Sequence, residues 1–144
     1  MVPSLRCVPS SKTIFPKLLN SEFIAPNCTI IGNVETGKFS SLYHGVILRG
    51  DTCKISIGKN TVIQDNTILK TNNKAKDNEI NEIKIGDNVI IGVNCSINRC
   101  IIEDGVIIGH GATIHDGCHL EANSVIAPGS VVVPNSKVPI HQVS

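Results

Sequence analysis

Aliphatic residues recur at almost every sixth position through the second half of this chain. From residue 85 to residue 138 the sequence divides into blocks of six, apart from one block of five that starts at Ile97. Each block opens on an aliphatic side chain: Ile85, Ile91, Ile97, Ile102, Ile108, Ile114, Leu120, Ile126, Val132 and Val138. Such a period matches neither the repeat of about 3.6 residues in an α-helix nor a meander of hairpins. It predicts short strands joined by turns, which is the pattern of a parallel β-helix.

The positions between the aliphatic residues support this interpretation. The fifth place of most blocks holds a small or β-branched residue: Val89, Cys95, Val106, Ala112, Cys118, Ser124, Ser130 and Ser136. Glycine and asparagine lie near the expected turns, where the backbone needs positive φ. Because three blocks make one triangular coil, Ile91 is predicted to stack with Ile108 and Ile126, and Ile97 with Ile114 and Val132.

The same rhythm begins earlier in the chain, with two interruptions. Blocks run from residue 24 to residue 53, an insertion of three residues follows around Lys54, and further blocks run to residue 71. Residues 71–84 are predicted to form a loop insertion that leaves the coil, because most of this stretch is polar and charged without a period.

Composition excludes several classes of function. The chain of 144 residues is long enough for one packed domain, and its 3% aromatic content suits a narrow prism filled by aliphatic side chains. The net charge of +1 gives no indication of nucleic acid as a partner. No apolar run approaches the ~20 residues of a membrane span, so the domain is expected to be soluble or peripheral to a membrane. The six cysteines lack zinc-binding spacing and are expected to be free thiols in a reducing compartment.

The predicted β-helix domain covers residues 23–144 and follows a basic N-terminal extension over residues 1–22. This extension carries Arg6, Lys12 and Lys17, and its first acidic residue is Glu22. Two interpretations stay open, namely an organelle transit segment and a basic extension that lies along the coil or on a partner.

The chain resembles the γ-class carbonic anhydrases over about residues 23–140. The runs that carry the resemblance are IAPNCTIIGNV, LRGDTCKISIGKNTVIQDN, IGDNVIIG, IIEDGVIIGHGAT and DGCHLEANSVIAPGSVV. RGD followed by IQDN is more specific than the repeat itself. The resemblance implies an all-β, single-stranded, left-handed parallel β-helix assembled as a trimer, an exception to the usual right-handed crossover. The interruption after Lys70 is similar to the loop of the mitochondrial, plant-type members, which are subunits of the respiratory NADH dehydrogenase complex.

The resemblance also implies where zinc ligands would lie. Enzyme members bind zinc with three histidines, two from one subunit and one from its neighbour. The family pattern QDNxxxH reads QDNTILK here, which places the first ligand at Lys70. The pattern IGHxxxLHGC reads IGVNCSINRC, which places the others at Val93 and Asn98. Protonated lysine and valine offer no lone pair and asparagine is a weak ligand, so neither a metal nor zinc catalysis is expected.

A displaced metal site at His110 and His115 is a less favoured alternative. By the predicted register, His110 lies one coil below Val93 and His115 one coil below Asn98. Such a site would pair His110 of one subunit with His115 of the next. The third ligand would be Asn98 or Val133, and neither is a good zinc ligand. Two histidines packed in a subunit interface are the favoured interpretation.

Four other residues match polar positions of the family. Arg49 and Asp51 correspond to residues that form charge pairs across the trimer interface, while Gln64 and Asp65 correspond to residues that line the site. The resemblance therefore implies that these residues act in trimer assembly, because an arginine–carboxylate pair is directional and fixes subunit register. Solvated turn residues are the alternative.

Three functions remain as alternatives. The favoured one is a non-catalytic structural subunit of mitochondrial complex I, on the matrix side of the inner membrane, without a cofactor. Its partners would be homologous γ-carbonic anhydrase-like subunits, in a homo- or heterotrimer, and membrane-arm subunits of the complex. The second is an active carbonic anhydrase whose zinc sites are completed by partner subunits. The third is another hexapeptide-repeat scaffold or an acyltransferase, against which the RGD and IQDN runs argue.

The end of the sequence carries one further expectation. Enzyme members follow the last coil with a long α-helix that packs along the β-helix, whereas here VVVPNSKVP is followed by IHQVS and the sequence ends. No C-terminal α-helix is therefore expected, since helices below about 12 residues are marginal. We expect neighbouring subunits, or a helix donated by one of them, to cover this surface and the apolar rim at Val132 and Val138.

Overall fold

The fold is a triangular prism wound from one chain, in which short strands form three faces and tight turns form the corners. The computed structural model describes residues 23–70 and 82–140, with the backbone alone at Ser4–Arg6, Lys17–Leu18 and residues 51–52. Every regular element in these residues is a strand. The predicted left-handed parallel β-helix of hexapeptide repeats is therefore confirmed.

The strands are short because a turn follows after every few residues. Those of the first half are β1 (Ser4–Arg6), β2 (Lys17–Leu18), β3 (Phe23–Ile24), β4 (Thr29–Thr36), β5 (Ser41–Leu42), β6 (Ile47–Ile57), β7 (Val62–Ile63) and β8 (Ile68–Leu69). Those of the second half are β9 (Glu82–Ile85), β10 (Ile90–Ile91), β11 (Ser96–Ile97), β12 (Cys100–Ile102), β13 (Ile107–Ile108), β14 (Thr113–Ile114), β15 (Cys118–Leu120), β16 (Val125–Ile126), β17 (Val131–Val132) and β18 (Lys137–Val138).

Parallel pairing between successive coils builds the three faces. The first face consists of the N-terminal halves of β4 and β6 with β8, β11, β14 and β17. The second consists of the C-terminal halves of β4 and β6 with β9, β12, β15 and β18, and the third of β3, β5, β7, β10, β13 and β16. Because β4 and β6 continue around a corner, the first two faces form one twelve-stranded sheet.

The predicted stacking of aliphatic side chains is confirmed. Ile91 pairs in register with Ile108, which pairs with Ile126. Ile97 likewise stacks on Ile114 and Val132. All ten block-opening residues from Ile85 to Val138 are buried, with at most 7% exposure. This continuous aliphatic column is the main apolar core of the prism.

Both interruptions of the rhythm leave the stacking of the coils intact. The register between β4 and β6 shifts after Gly32, since Gly32 pairs with Gly50 and Val34 with Ile55, which places the predicted three-residue insertion between Gly50 and Ile55. The second interruption spans residues 71–81, which lie outside the described residues, and pairing resumes where β9 begins at Glu82.

The N-terminal extension contributes backbone to the sheet. Within it, β1 pairs in parallel with Thr29–Ile31 and β2 with Glu35–Thr36, both in β4. The β-helix therefore begins N-terminal to the first predicted block. The rest of the extension lies outside the described residues. Over the part of the chain that the structure describes, no helix is long and apolar enough to cross a membrane.

Candidate functional site

One vertical column of mostly polar side chains occupies the corner between the first and second faces. It contains Arg49, Lys70, Asn98, His115 and Val133, which directly follow the aligned first-face strands. Backbone bonds hold the middle of this Lys70 column, because the N–H of Lys70 donates to Ile97 O and that of Asn98 to Ile114 O, both at 3.0 Å. Arg49 and Lys70 lie on successive rungs of this column, which are about 4.8 Å apart.

A second column occupies the corner between the third and first faces. This Val93 column contains His44, Asp65, Val93, His110 and Pro128, each one coil below the one before. The two columns therefore border opposite edges of the first face.

The three predicted zinc-ligand positions are divided between these columns. Lys70 and Asn98 are neighbours in one column, whereas Val93 lies in the other, across the first face. Within one chain the three positions do not converge. Two chains, placed with unlike corners together, are needed to bring them to one point.

The donor set at these positions does not fit zinc. The Asn98 side chain is half-buried, and its Nδ2 donates to Ile114 O at 3.0 Å. Its remaining oxygen is a weak ligand, and neither the Lys70 ammonium nor the Val93 side chain offers a lone pair. In addition, no group of three or more His, Cys, Asp or Glu side chains within the described ranges is arranged to hold a metal ion.

The displaced site would pair His110 of one subunit with His115 of the next. These histidines belong to different columns, on opposite edges of the first face, so only two chains could bring them together. The difficulty for this site lies in the bonding of the His110 ring. The Nδ1 atom of His110 accepts the backbone N–H of Val93 at 2.7 Å, which requires the proton of the neutral ring to be on Nε2. A ring in this tautomer has no free Nε2 lone pair, whereas metal-bound histidines usually donate from their second nitrogen.

Of the four residues assigned to the interface, Asp65 has the clearest structural role. Its Oδ1 accepts the backbone N–H of His44 at 3.2 Å, one coil above. Gln64 lies beside it, half-buried on the same corner. Arg49 is exposed in the Lys70 column, one rung above Lys70, and the Asp51 side chain lies outside the described residues. Contacts of these residues across a subunit boundary therefore stay a prediction.

The bond made by Asp65 belongs to a repeated device at the corners. A turn side chain accepts a backbone N–H from an adjacent coil. Asp87 accepts from Lys59, Asp104 from Asp87 and Asp116 from Arg99 in the coil above, whereas Asn27 accepts from Gly45 in the coil below. In the sequence these residues appear only as turn formers. Their bonds hold one coil on the next and satisfy N–H groups that the turns leave unpaired.

Two side-chain pairs were not predicted from the motifs. Arg99 is buried, with 5% exposure, and its Nη2 lies 3.3 Å from Asp116 Oδ2. The signal was present, because Arg99 occupies the glycine position of the IGHxxxLHGC pattern. On the second face, Glu103 and His119 form a close carboxylate–imidazole contact, with both side chains 37% exposed. The Arg99–Asp116 pair directly follows Asn98 and His115 of the Lys70 column, whereas the Glu103–His119 pair lies on the second face.

Comparison with known proteins agrees with this architecture. The family profile described as "Bacterial transferase hexapeptide (six repeats)" matches residues 82–116 and 99–134. A solved structure, the hexapeptide transferase family protein from Anaplasma phagocytophilum, has a TM-score of 0.86 and 31% sequence identity over 97% of this chain and 77% of that chain. The chain therefore belongs to the hexapeptide-repeat family of β-helix proteins.

Within this fold class the chain is similar to named γ-carbonic anhydrases. It is 40% identical over 121 residues to "Gamma carbonic anhydrase 2, mitochondrial" from Arabidopsis thaliana, which is 84% of this chain and 44% of that protein. It is 32% identical over 123 residues to a carbonic anhydrase from Geobacillus kaustophilus, which is 85% of this chain and 54% of the relative. The chain thus spans about half the length of these relatives.

Proposed function

We propose that this chain is a non-catalytic, γ-carbonic anhydrase-like structural subunit of the mitochondrial respiratory NADH dehydrogenase complex. In this proposal it forms a trimer with like subunits on the matrix side of the inner membrane. The observation that carries the proposal is the donor set at Lys70, Val93 and Asn98, which does not fit zinc. Without a metal, the pKa of water is not brought towards about 7, so CO₂ meets no hydroxide nucleophile.

The placement of the two columns supports a trimeric assembly. A site shared between chains requires the Lys70 column of one subunit to meet the Val93 column of the next. Because these are different surfaces, the contact is head-to-tail and can close into a ring. The outward row between the columns is uncharged throughout its described part, which allows close approach: Thr29, Ile47, Ile68, Ser96, Thr113 and Val131.

The other two faces support a place within a larger complex. The second face carries its charges in pairs, such as Lys54–Glu35 at 3.6 Å and Lys137–Glu121 at 3.7 Å, as expected of a surface in water. The third face instead exposes large apolar side chains, with Phe23 at 42%, Ile90 at 41% and Ile107 at 44% exposure. Ile90 and Ile107 are neighbours in a row that also contains Val62 and Val125, while Ser41 separates Phe23 from this row. An apolar row of this kind is typical of a surface that contacts further protein.

An active carbonic anhydrase in a mixed trimer is the second candidate, because Gln64 and Asp65 are present beside Val93 and the relatives are named carbonic anhydrases. The number of zinc ligands at the boundaries of this chain weighs against it. At the boundary formed by Val93, a neighbour with histidines at its ligand positions supplies two ligands. At the boundary formed by Lys70 and Asn98, such a neighbour supplies one ligand. Neither boundary reaches the three protein ligands of a catalytic zinc site.

Purification of the tagged chain from mitochondria, with its partner subunits, tests the proposal. We expect γ-carbonic anhydrase-like and respiratory-complex subunits to co-purify, as identified by mass spectrometry. An assembly without respiratory subunits would contradict the proposal.

A further inference from the structure

When copies of this chain form a ring, residues in the Lys70 column of one copy lie at nearly the same heights as residues in the Val93 column of the next. The segments from His44 to Arg49, from Asp65 to Lys70, from Val93 to Asn98 and from His110 to His115 each cross the first face from one column to the other. Crossing one face advances the coil by about a third of its rung spacing of about 4.8 Å. In a ring whose axis is parallel to the prism, residues of one crossing therefore meet at nearly equal height.

This matching places unlike charges opposite each other at one level. In such a ring, Lys70 of one copy would face Asp65 of the next, whereas one level below the uncharged Asn98 would face Val93. Both Lys70 and Asp65 are partly buried in the single chain, and a neighbour would bury them further. Lower solvent exposure strengthens the attraction between opposite charges.

We propose that the Lys70 ammonium pairs with Asp65 of a neighbouring copy, and so supplies at the subunit boundary the positive charge that zinc supplies in metal-binding relatives. This inference rests on the proposed trimeric assembly. Asp65 is suited to the role, because its Oδ1 already accepts the His44 N–H at 3.2 Å, which holds the carboxylate at the corner. Its other oxygen adds acceptor capacity for an ammonium donor.

The Lys70 column itself favours an anionic neighbour. The Lys70 ammonium carries a positive charge, which a carboxylate from the neighbouring Val93 column would attract. A metal cation at the same place would repel it, so the lysine and a bound zinc ion are alternatives for one position.

A double-mutant cycle in the full chain tests the pair. Lys70→Met removes the charge and retains an unbranched side chain, while Asp65→Asn removes the charge and keeps an oxygen that can accept the His44 N–H. Lys84→Met, on the second face, is the matched control. Trimer dissociation is measured by sedimentation equilibrium at low and high salt, with circular dichroism as a check on folding.

We expect each single variant to weaken the trimer by about tenfold or more, and the double variant to weaken it no further than either single variant. Lys84→Met should match the unmodified chain, and Lys70→Arg should retain most of the assembly. A trimer that tolerates Lys70→Met as well as the control, or additive single effects, would overturn the pair and leave the assembly standing. Absence of a trimer in the unmodified chain would overturn the ring of identical copies and the pair with it.

Discussion

At the scale of single residues, the turns depend on a backbone conformation that few side chains tolerate. Among the described non-glycine residues with positive φ, six are asparagines: Asn60, Asn66, Asn88, Asn94, Asn123 and Asn135. The seventh is Phe39, with φ of 62°. Asparagine is comparatively tolerant of this region, whereas a bulky side chain is strained there. The Phe39 ring is 56% exposed, so burial offsets little of the strain.

Replacement of Phe39 should therefore stabilise the chain. We expect Phe39→Asn to raise the free energy of unfolding by about 1 kcal/mol, because asparagine adopts the same backbone at lower cost. Urea denaturation monitored by circular dichroism measures the change. The matched control is Asn60→Ala at the same corner one coil below, which should lower stability by a similar amount. An unchanged or lower midpoint for Phe39→Asn contradicts the interpretation.

The positions of the corner residues could be predicted from the sequence, but the directions of their side chains could not. The five-residue block that starts at Ile97 predicted that His110 stacks under Val93, and the structure confirms this register. The bonds from His110 to Val93 and from Asp65 to His44 did not follow, because a repeat fixes a position along the chain and not a side-chain rotamer. Arg99 was missed because the pattern marked its position as a glycine.

At the scale of the coil, the fold depends on bonds that hold consecutive turns together across the insertion. Thr67 is fully buried, and its Oγ1 donates to Gly92 O at 2.6 Å and accepts the Cys95 N–H at 3.2 Å. Thr61 makes the corresponding contacts to Gly86 O at 2.8 Å and to the Val89 N–H at 3.4 Å. These bonds join the coil before residues 71–81 to the coil after them.

Loss of the Thr67 hydroxyl should lower the free energy of unfolding by more than loss of the Thr67 methyl group. Thr67→Val preserves the shape and removes both hydrogen bonds, so we expect a loss of about 2 to 4 kcal/mol in the free energy of unfolding. Thr67→Ser keeps the hydroxyl and removes one methyl group, with an expected loss of about 1 kcal/mol. Chemical denaturation of both variants measures the difference. A valine variant as stable as the serine variant would show that these bonds contribute little.

The elements themselves were the most predictable feature of the molecule. The in-phase aliphatic residues specify the inner wall, because a slip by one residue would turn Ile91 or Ile108 outward. The three-residue insertion was also visible, since it shifts the phase between Leu48 and Ile57. The pairing of β1 and β2 with β4 was not visible, because the extension lacks the hexad pattern.

At the scale of the whole molecule, the three faces differ in their outward residues. The first face is uncharged in its described part, the second is charged, and the third is apolar. The sequence did not predict this division, because the outward positions follow no period. The shared interior includes the cysteines Cys28, Cys53, Cys95, Cys100 and Cys118, all buried free thiols.

Burial of these thiols should make stability depend on pH. Burial, together with neighbouring Cys118, Asp116 and Cys53, raises the pKa of Cys100 well above its ordinary value of 9.0. The unfolded thiol ionises near that ordinary value while the folded one stays neutral, so stability is retained below it and falls as the pH rises through it. We expect Cys100→Ala to lower stability at neutral pH and to make this alkaline fall shallower.

Urea denaturation of the unmodified chain and of Cys100→Ala, from neutral pH to about pH 10, measures both effects. The comparison cancels the contributions of lysine and tyrosine ionisation, which the two chains share. Equal slopes of stability against pH in the two chains would mean that Cys100 does not contribute to the alkaline fall.

The zinc content of the purified assembly tests the central claim most directly. We compare the unmodified chain with a variant that carries Lys70→His, Val93→His and Asn98→His together. After dialysis against zinc and then against buffer, elemental analysis should find no bound zinc in the unmodified assembly and about one ion per subunit boundary in the variant. Zinc retained at the boundaries of the unmodified assembly, or no zinc in the variant, would contradict the claim that three lost ligands converge between subunits.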